Sequence, residues 1–189
     1  MRCLHHIFAV MLIAAAGLAS AADPAPDPEL REALRKAAND APSFTDRFDA
    51  EVWLTDMSRR LARQVEDPEE RIRILKLVHL EANRAELPPE LILAVIEVES
   101  NFDRYAVSVA GALGLMQVMP FWKEEIGRVD DNLLHIETNL RYGCTILKHY
   151  YDKEKGDLRR ALGRYNGSLG HRKYPNKVID KLSYKWFKA

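Results

Sequence analysis

Apolar residues recur along most of the chain at three- and four-residue intervals, the spacing that gathers them on one face of an α-helix. Asp27-Pro28 reads as an N-cap followed by a first-turn proline and opens a helix to about Asn39. Ser43 with Asp46 introduces a second, carrying Phe48, Trp53, Leu54, Met57 and Leu61 at helical spacing. Asp67-Pro68-Glu69-Glu70 launches a third through Ile72, Leu75, Val78 and Leu80 towards Glu86. Pro88-Pro89 stops it and starts the next, in which Leu91 to Glu99 is nearly all apolar and therefore a buried central helix. Further on, the pattern predicts short helices near Gly114–Met119 and Pro120–Ile126, then longer ones from about Glu137 to Lys153, Asp157 to Arg164 and Pro175 to Trp186. There is no useful alternating run, no hairpin signal and no internal repeat, so the expected fold class is all-α.

The first residues follow a different pattern. Arg2, the uncharged run Ile7 to Leu18 and the small residues Ala19-Ser20-Ala21 read as a secretory signal peptide, 1–21, cleaved near Ala21. The run is shorter than the ~20 residues that cross a bilayer, and no basic cluster follows it. Export to the periplasm, or secretion, is the expectation.

Charge sharpens this picture. Lys plus Arg and Asp plus Glu both number 28, a balance that argues against an ordinary nucleic-acid binder. The zero is a cancellation: residues 22–89 carry 11 bases and 15 acids, whereas 141–189 carry 13 bases and 4 acids. A cationic C-terminal region on an exported protein suits an anionic wall polymer. With Cys3 in the leader, Cys144 stands alone in an apolar helical segment and reads as a buried small residue. The histidines lack ligand spacing, so no metal site and no cofactor are expected.

The chemistry centres on Glu99. Its neighbours three, four and seven residues back are Ile96, Val95 and Ile92, so its carboxyl rises from an apolar stripe. Burial there raises a carboxyl pKa, as a general acid near neutrality requires. A structural carboxylate paired with Arg or Lys fits the same pattern equally well. Glu97 lies on a more mixed stripe, with Ala94, Leu93 and Glu90. Ser100, Ser108, Gly111-Ala112, Gly114-Leu115-Met116-Gln117 and Arg164-Tyr165-Asn166 then supply hydroxyls, amides, a thioether and an aromatic ring, interleaved with glycines that let backbone approach a ligand. Such groups furnish carbohydrate sites.

Four blocks carry a resemblance. Pro89-Glu90-Leu91 through Ala94-Val95-Ile96 to Glu99-Ser100, Ala106 to Met119-Pro120, Asn139-Leu140-x-x-Gly143 and Tyr165-Asn166 closely resemble, in order and spacing, the soluble lytic transglycosylases of bacterial cell walls. The resemblance covers about 85–187. It implies a lysozyme-like helical domain over 85–189, with 22–84 as an N-terminal helical extension. It also implies cleavage of the β-1,4 bond between N-acetylmuramic acid and N-acetylglucosamine in peptidoglycan strands by a monomer. By position, Glu99 aligns with the single catalytic glutamate, which protonates the leaving oxygen and then deprotonates the muramoyl C6 hydroxyl to give a 1,6-anhydro product. Ser108, Met116 and Gln117 align with sugar-binding and cleft-lining residues, and Tyr165 with a tyrosine bonded to the catalytic carboxyl; Ser100, Asn139 and Asn166 align with structural positions around the cleft. Arg164 stands where the family commonly has alanine, placing a charge either at the rim or in solvent. An ordinary glycosidase needs a second carboxyl about 5 to 9.5 Å away, and the nearby Asp103, Asp130 and Asp131 read better as loop caps. A goose-type lysozyme-like hydrolase and an inactive wall-binding module, with envelope-assembly proteins as partners, are the competing expectations.

Overall fold

The computed structural model describes residues 28–39 and 41–187; the predicted signal peptide, Cys3 and the capping Asp27 lie outside them. Within the described residues eight α-helices follow one another: α1 Pro28–Asn39, α2 Arg47–Leu61, α3 Pro68–Arg84, α4 Pro89–Glu99, α5 Trp122–Ile126, α6 Ile136–Lys153, α7 Leu158–Tyr165 and α8 Lys173–Lys181. A π-helical turn, Leu182–Trp186, extends the last. The all-α expectation holds, and the caps explain why. Asp46 accepts from the backbone N–H groups of Phe48 and Asp49, Asp67 from Glu69 and Asp157 from Arg160. Each satisfies donors that the first helical turn leaves without a partner. Ser43 has another task, sharing a 2.8 Å hydrogen bond with His79 Nδ1.

Leu91, Ile92, Leu93, Ala94, Val95 and Ile96 are all buried, so α4 is the central helix its composition requires. It packs against α3 on one side and against α8 and the π turn on another, while α6 joins α3 to α7. One hydrophobic cluster runs from Leu34 in α1 through Leu54, Leu75 and Ile92 to Leu147, Val178 and Trp186. The helices before residue 85 thus share a core with those after it. A buried acid reinforces the α3–α6 contact: Glu81 Oε1 accepts from Arg141 Nη2 at 2.9 Å and Oε2 from Arg84 Nε at 2.5 Å.

The predicted helix at Gly114–Met119 does not form. That segment is a turn closed by isolated bridges of Leu113 to Val107 and Val118. Gly114 (φ +71°) and Gln117 (φ +49°) both occupy the left-handed region, which a right-handed helix cannot accommodate. Gly114 also sits against Asn139, whose side chain an added Cβ would approach to 2.5 Å, so the position demands glycine twice over.

Glu97 secures the C-terminal helix. Almost fully buried, it accepts from Lys181 Nζ at 2.6 Å, Trp186 Nε1 at 2.8 Å and Lys185 Nζ at 3.1 Å. Burial pushes its pKa up, but hydrogen bonds from Lys181 and Lys185 and their charges outweigh this and hold it below the ordinary value. A depressed acid pKa contributes stability that is present above the unfolded value and lost as pH falls through the folded one. We therefore expect Glu97→Gln to cost about 2 kcal/mol at pH 7 in denaturant titrations, because it removes the charge from a buried pair while both lysines remain partly solvated. The deficit should shrink as pH falls below the ordinary glutamate value of 4.5.

Candidate active site

Glu99 stands at the C-terminal end of α4, with two cavities beside it. The first, about 260 Å³, is lined by Ser108, Ala110, Ala112, Gln117, Val118, Met119, Trp122, Ile146 and Tyr165 together with Glu99 and Asn166. The second, about 410 Å³, is lined by Val98, Ser168, His171, Lys173, Tyr174 and Lys177, again with Glu99 and Asn166. The carboxyl therefore borders both. Burial raises the Glu99 pKa to about 7, against a smaller opposing pull from the Tyr174 phenol, which donates to Oε1 at 2.5 Å. No cation pairs with Glu99 among the described residues. The two readings left open by the sequence pattern are divided between neighbours: Glu97 is the structural carboxylate, and Glu99 is an unpaired, half-buried acid that titrates near neutrality.

The wall of the first cavity is a backbone loop held in place by side chains. Asn139 on α6 is buried; its Oδ1 accepts from Met116 N at 2.8 Å, while Nδ2 donates to the carbonyls of Leu113 and Leu133, each at 2.8 Å. Ser100 Oγ donates to Leu115 O at 2.8 Å, tying the end of α4 to the same loop. Ser108 Oγ accepts from Ala112 N at 2.9 Å, which leaves its own proton free to donate. Gln117 Nε2 donates to Gly114 O at 3.0 Å and Ala106 O at 3.2 Å, leaving its carbonyl oxygen for the cavity it lines. Trp122 and Met119 add flat and polarizable apolar surface.

Ser108, Gln117, Tyr165 and Asn166 thus meet around Glu99, and Ser100 and Asn139 hold the wall. Two expectations change. Met116 is fully buried and absent from the lining, because Gly143 lets it pack against α6; a Cβ there would lie 2.4 Å from its sulfur. Met119 presents the thioether instead. Tyr165 donates to Met116 O at 2.7 Å and not to Glu99; the carboxyl's partner is Tyr174, contributed by α8. Sequence reasoning missed Tyr174 because its helical apolar spacing with Val178 looks like ordinary core packing. Arg164 is neither free at the rim nor solvated: with Arg160 it holds Glu154. Asp103 accepts from Tyr105 N within its loop, and Asp131 accepts from Arg128 N in its loop and from the Tyr142 hydroxyl on α6. Cys144 is buried, and its thiol is pushed far above the ordinary range.

Comparison with known proteins adds an independent line. The family model described as the transglycosylase SLT domain matches residues 76–187. The chain belongs to this family. Membrane-bound lytic murein transglycosylase C of Actinobacillus pleuropneumoniae serotype 5b is 56% identical to this SLT-domain chain over 46 residues, 24% of the chain and 13% of that relative. A transglycosylase of Enterobacteria phage PRD1 is 30% identical over 104 residues, 51% of the chain and 38% of that relative. The chain thus spans well under half the length of these curated relatives. Among solved structures, an inactive mutant of lytic transglycosylase Slt from Pseudomonas aeruginosa matches with a TM-score of 0.48 at 20% identity, covering 82% of this chain and 34% of that one.

Tyr174→Phe should separate the phenol's electrostatic effect from its packing. Removing a donor that favours the carboxylate raises the Glu99 pKa above about 7, so the titration midpoint of its side-chain carboxyl, followed by carbon NMR, should move to higher pH. An unmoved midpoint would show that the phenol does not set the acid's protonation.

Proposed function

We propose that this protein is a lytic murein transglycosylase that cleaves the β-1,4 bond between N-acetylmuramic acid and N-acetylglucosamine with formation of a 1,6-anhydromuramoyl end. The observation that carries the reading is that Glu99 is the sole carboxylate lining either half of the cleft among the described residues. Hydrolysis by the usual two-carboxyl routes has no second acid there to activate water or act as nucleophile. One group poised near pH 7 can serve in turn as acid and base.

In the proposed cycle, protonated Glu99 gives its proton to the glycosidic oxygen as the bond to the anomeric carbon breaks. The resulting carboxylate then takes the proton of the C6 hydroxyl, whose oxygen closes on the same anomeric carbon. Proton count is restored and no water is consumed. Because nucleophile and electrophile belong to one sugar, proximity replaces the second carboxylate. Tyr174 is a positioning residue: its phenol orients Oε1 and stabilises the ionised intermediate form. Ser108 and Gln117 supply a donor and an acceptor for the sugar. The leader-like segment at 1–21 supports an envelope location, and no described helix is long and apolar enough to cross a membrane.

Mass spectrometry of digested peptidoglycan tests the reaction. Anhydromuramoyl ends are expected; reducing muramoyl ends alone would replace this reading with a hydrolase, and no released fragments with a wall-binding module. Glu99→Gln should abolish cleavage while keeping an acceptor for Tyr174. A raised acid pKa means the ionised form opposes folding, so the native residue costs nothing below 4.5, progressively more up to about 7, and a constant amount above. Thermal melts of Glu99→Gln should therefore match the native protein at pH 4 and exceed it at pH 8 by about 2 kcal/mol.

A further inference from the structure

The two cavities beside Glu99 differ in charge. The first is lined by neutral groups apart from Glu99 itself, whereas the second is lined by Lys173, Lys177 and His171. Half of the described cations of the C-terminal segment are committed elsewhere. Lys181 and Lys185 hold Glu97, Arg160 and Arg164 hold Glu154, and Arg141 holds Glu81. Lys173 and Lys177 are exposed, stand one turn apart on α8, and pair with no carboxylate among the described residues. Their backbone is anchored through Tyr174, which lies between them in sequence and bonds Glu99. The same cavity is also lined by Ser168.

We infer that this cationic half of the cleft binds a carboxylate carried by the glycan strand next to the cleavage point, so that the enzyme selects acidic strands over neutral ones. The inference deepens the transglycosylase reading and rests on it. Two parts of a murein strand offer a carboxylate: the lactyl group of a muramoyl residue that has lost its peptide, and the stem peptide itself. Two exposed lysines contribute modestly to each contact, and their effect is screened by salt.

Binding to Glu99→Gln protein, which cannot turn over, tests this with three soluble probes: stem-bearing murein tetrasaccharide, the same oligosaccharide stripped by an amidase so that lactyl carboxylates are free, and neutral N-acetylglucosamine tetrasaccharide. Adding Lys173→Gln and Lys177→Gln should raise Kd roughly three- to tenfold for a carboxylate-bearing probe, leave the neutral probe unchanged, and lose its effect at 1 M salt. A loss of affinity confined to the stem-bearing probe assigns the contact to the peptide, one confined to the stripped probe assigns it to the lactyl group, and one shared by both assigns it to a subsite that takes either carboxylate. Replacing exposed Lys153 and Lys155, which lie outside the lining, removes the same charge and should change nothing. Equal loss for all three probes, no loss for any, or an equal loss from the Lys153/Lys155 control overturns the inference. Absence of any cleavage by the native protein would instead sink the catalytic reading, a separate measurement.

Discussion

Glu97 is the interaction on which the cleft depends. A carboxylate buried in an apolar helix is tolerable only if cations and donors reach it, and Lys181, Lys185 and the Trp186 indole all do so from the end of the chain. Meeting that requirement draws α8 and the π turn against α4. Tyr174 rides on the same α8, and so its phenol arrives at Glu99. Two residues further along α4, the second acid receives only that one hydrogen bond and keeps a raised pKa. Identical side chains on one helix thus acquire opposite protonation behaviour because one receives cations and the other receives burial.

The opposite wall follows a parallel logic built on backbone. A left-handed loop carries peptide groups that no helix or sheet satisfies, and Asn139 completes two of those bonds from within α6, its third reaching Leu133 in the segment before that helix. Gly114 gives Asn139 room to approach and Gly143 gives Met116 room to pack. Tyr165 and Ser100 close two more carbonyls. Most of the motif residues outside Glu99 therefore shape the wall, and Ser108 and Gln117 alone combine a bond to that wall with a spare polar group facing the cavity.

This division explains what was legible in the sequence. Helix starts at Pro28, Arg47, Pro68 and Pro89 were readable because caps and prolines act within a few residues, and the buried α4 because its composition admits no solvent face. Glu99 was readable by its apolar stripe, although the same reasoning understated Glu97: the cations that bury it come from residues 84 and 88 positions later, beyond any local pattern. The helix expected at Gly114–Met119 failed for a similar reason, since the loop's geometry is repaid by Asn139 from a distant helix. Tyr174, Lys173 and Lys177 carry no local signal; only the docking of α8 brings them to the cleft.

The junction of a neutral and a cationic cavity at one acid has a consequence for the proposed reaction. Burial holds the pKa of Glu99 near 7 against the smaller pull of the Tyr174 hydrogen bond, so desolvation is the larger effect in the free protein. If a substrate carboxylate occupies the cationic side, it brings a like charge towards Glu99 and excludes water, and both changes push Glu99 further towards its protonated state. Binding an acidic strand would then load the proton that the first step consumes. In the proposed cycle the phenol of Tyr174 would then be the group left to stabilise the carboxylate until it recovers a proton from C6. In this arrangement substrate charge loads the acid and a single tyrosine steadies its conjugate base, while the sugar's own C6 hydroxyl takes the place of the nucleophile that a second carboxyl supplies or activates in a hydrolase.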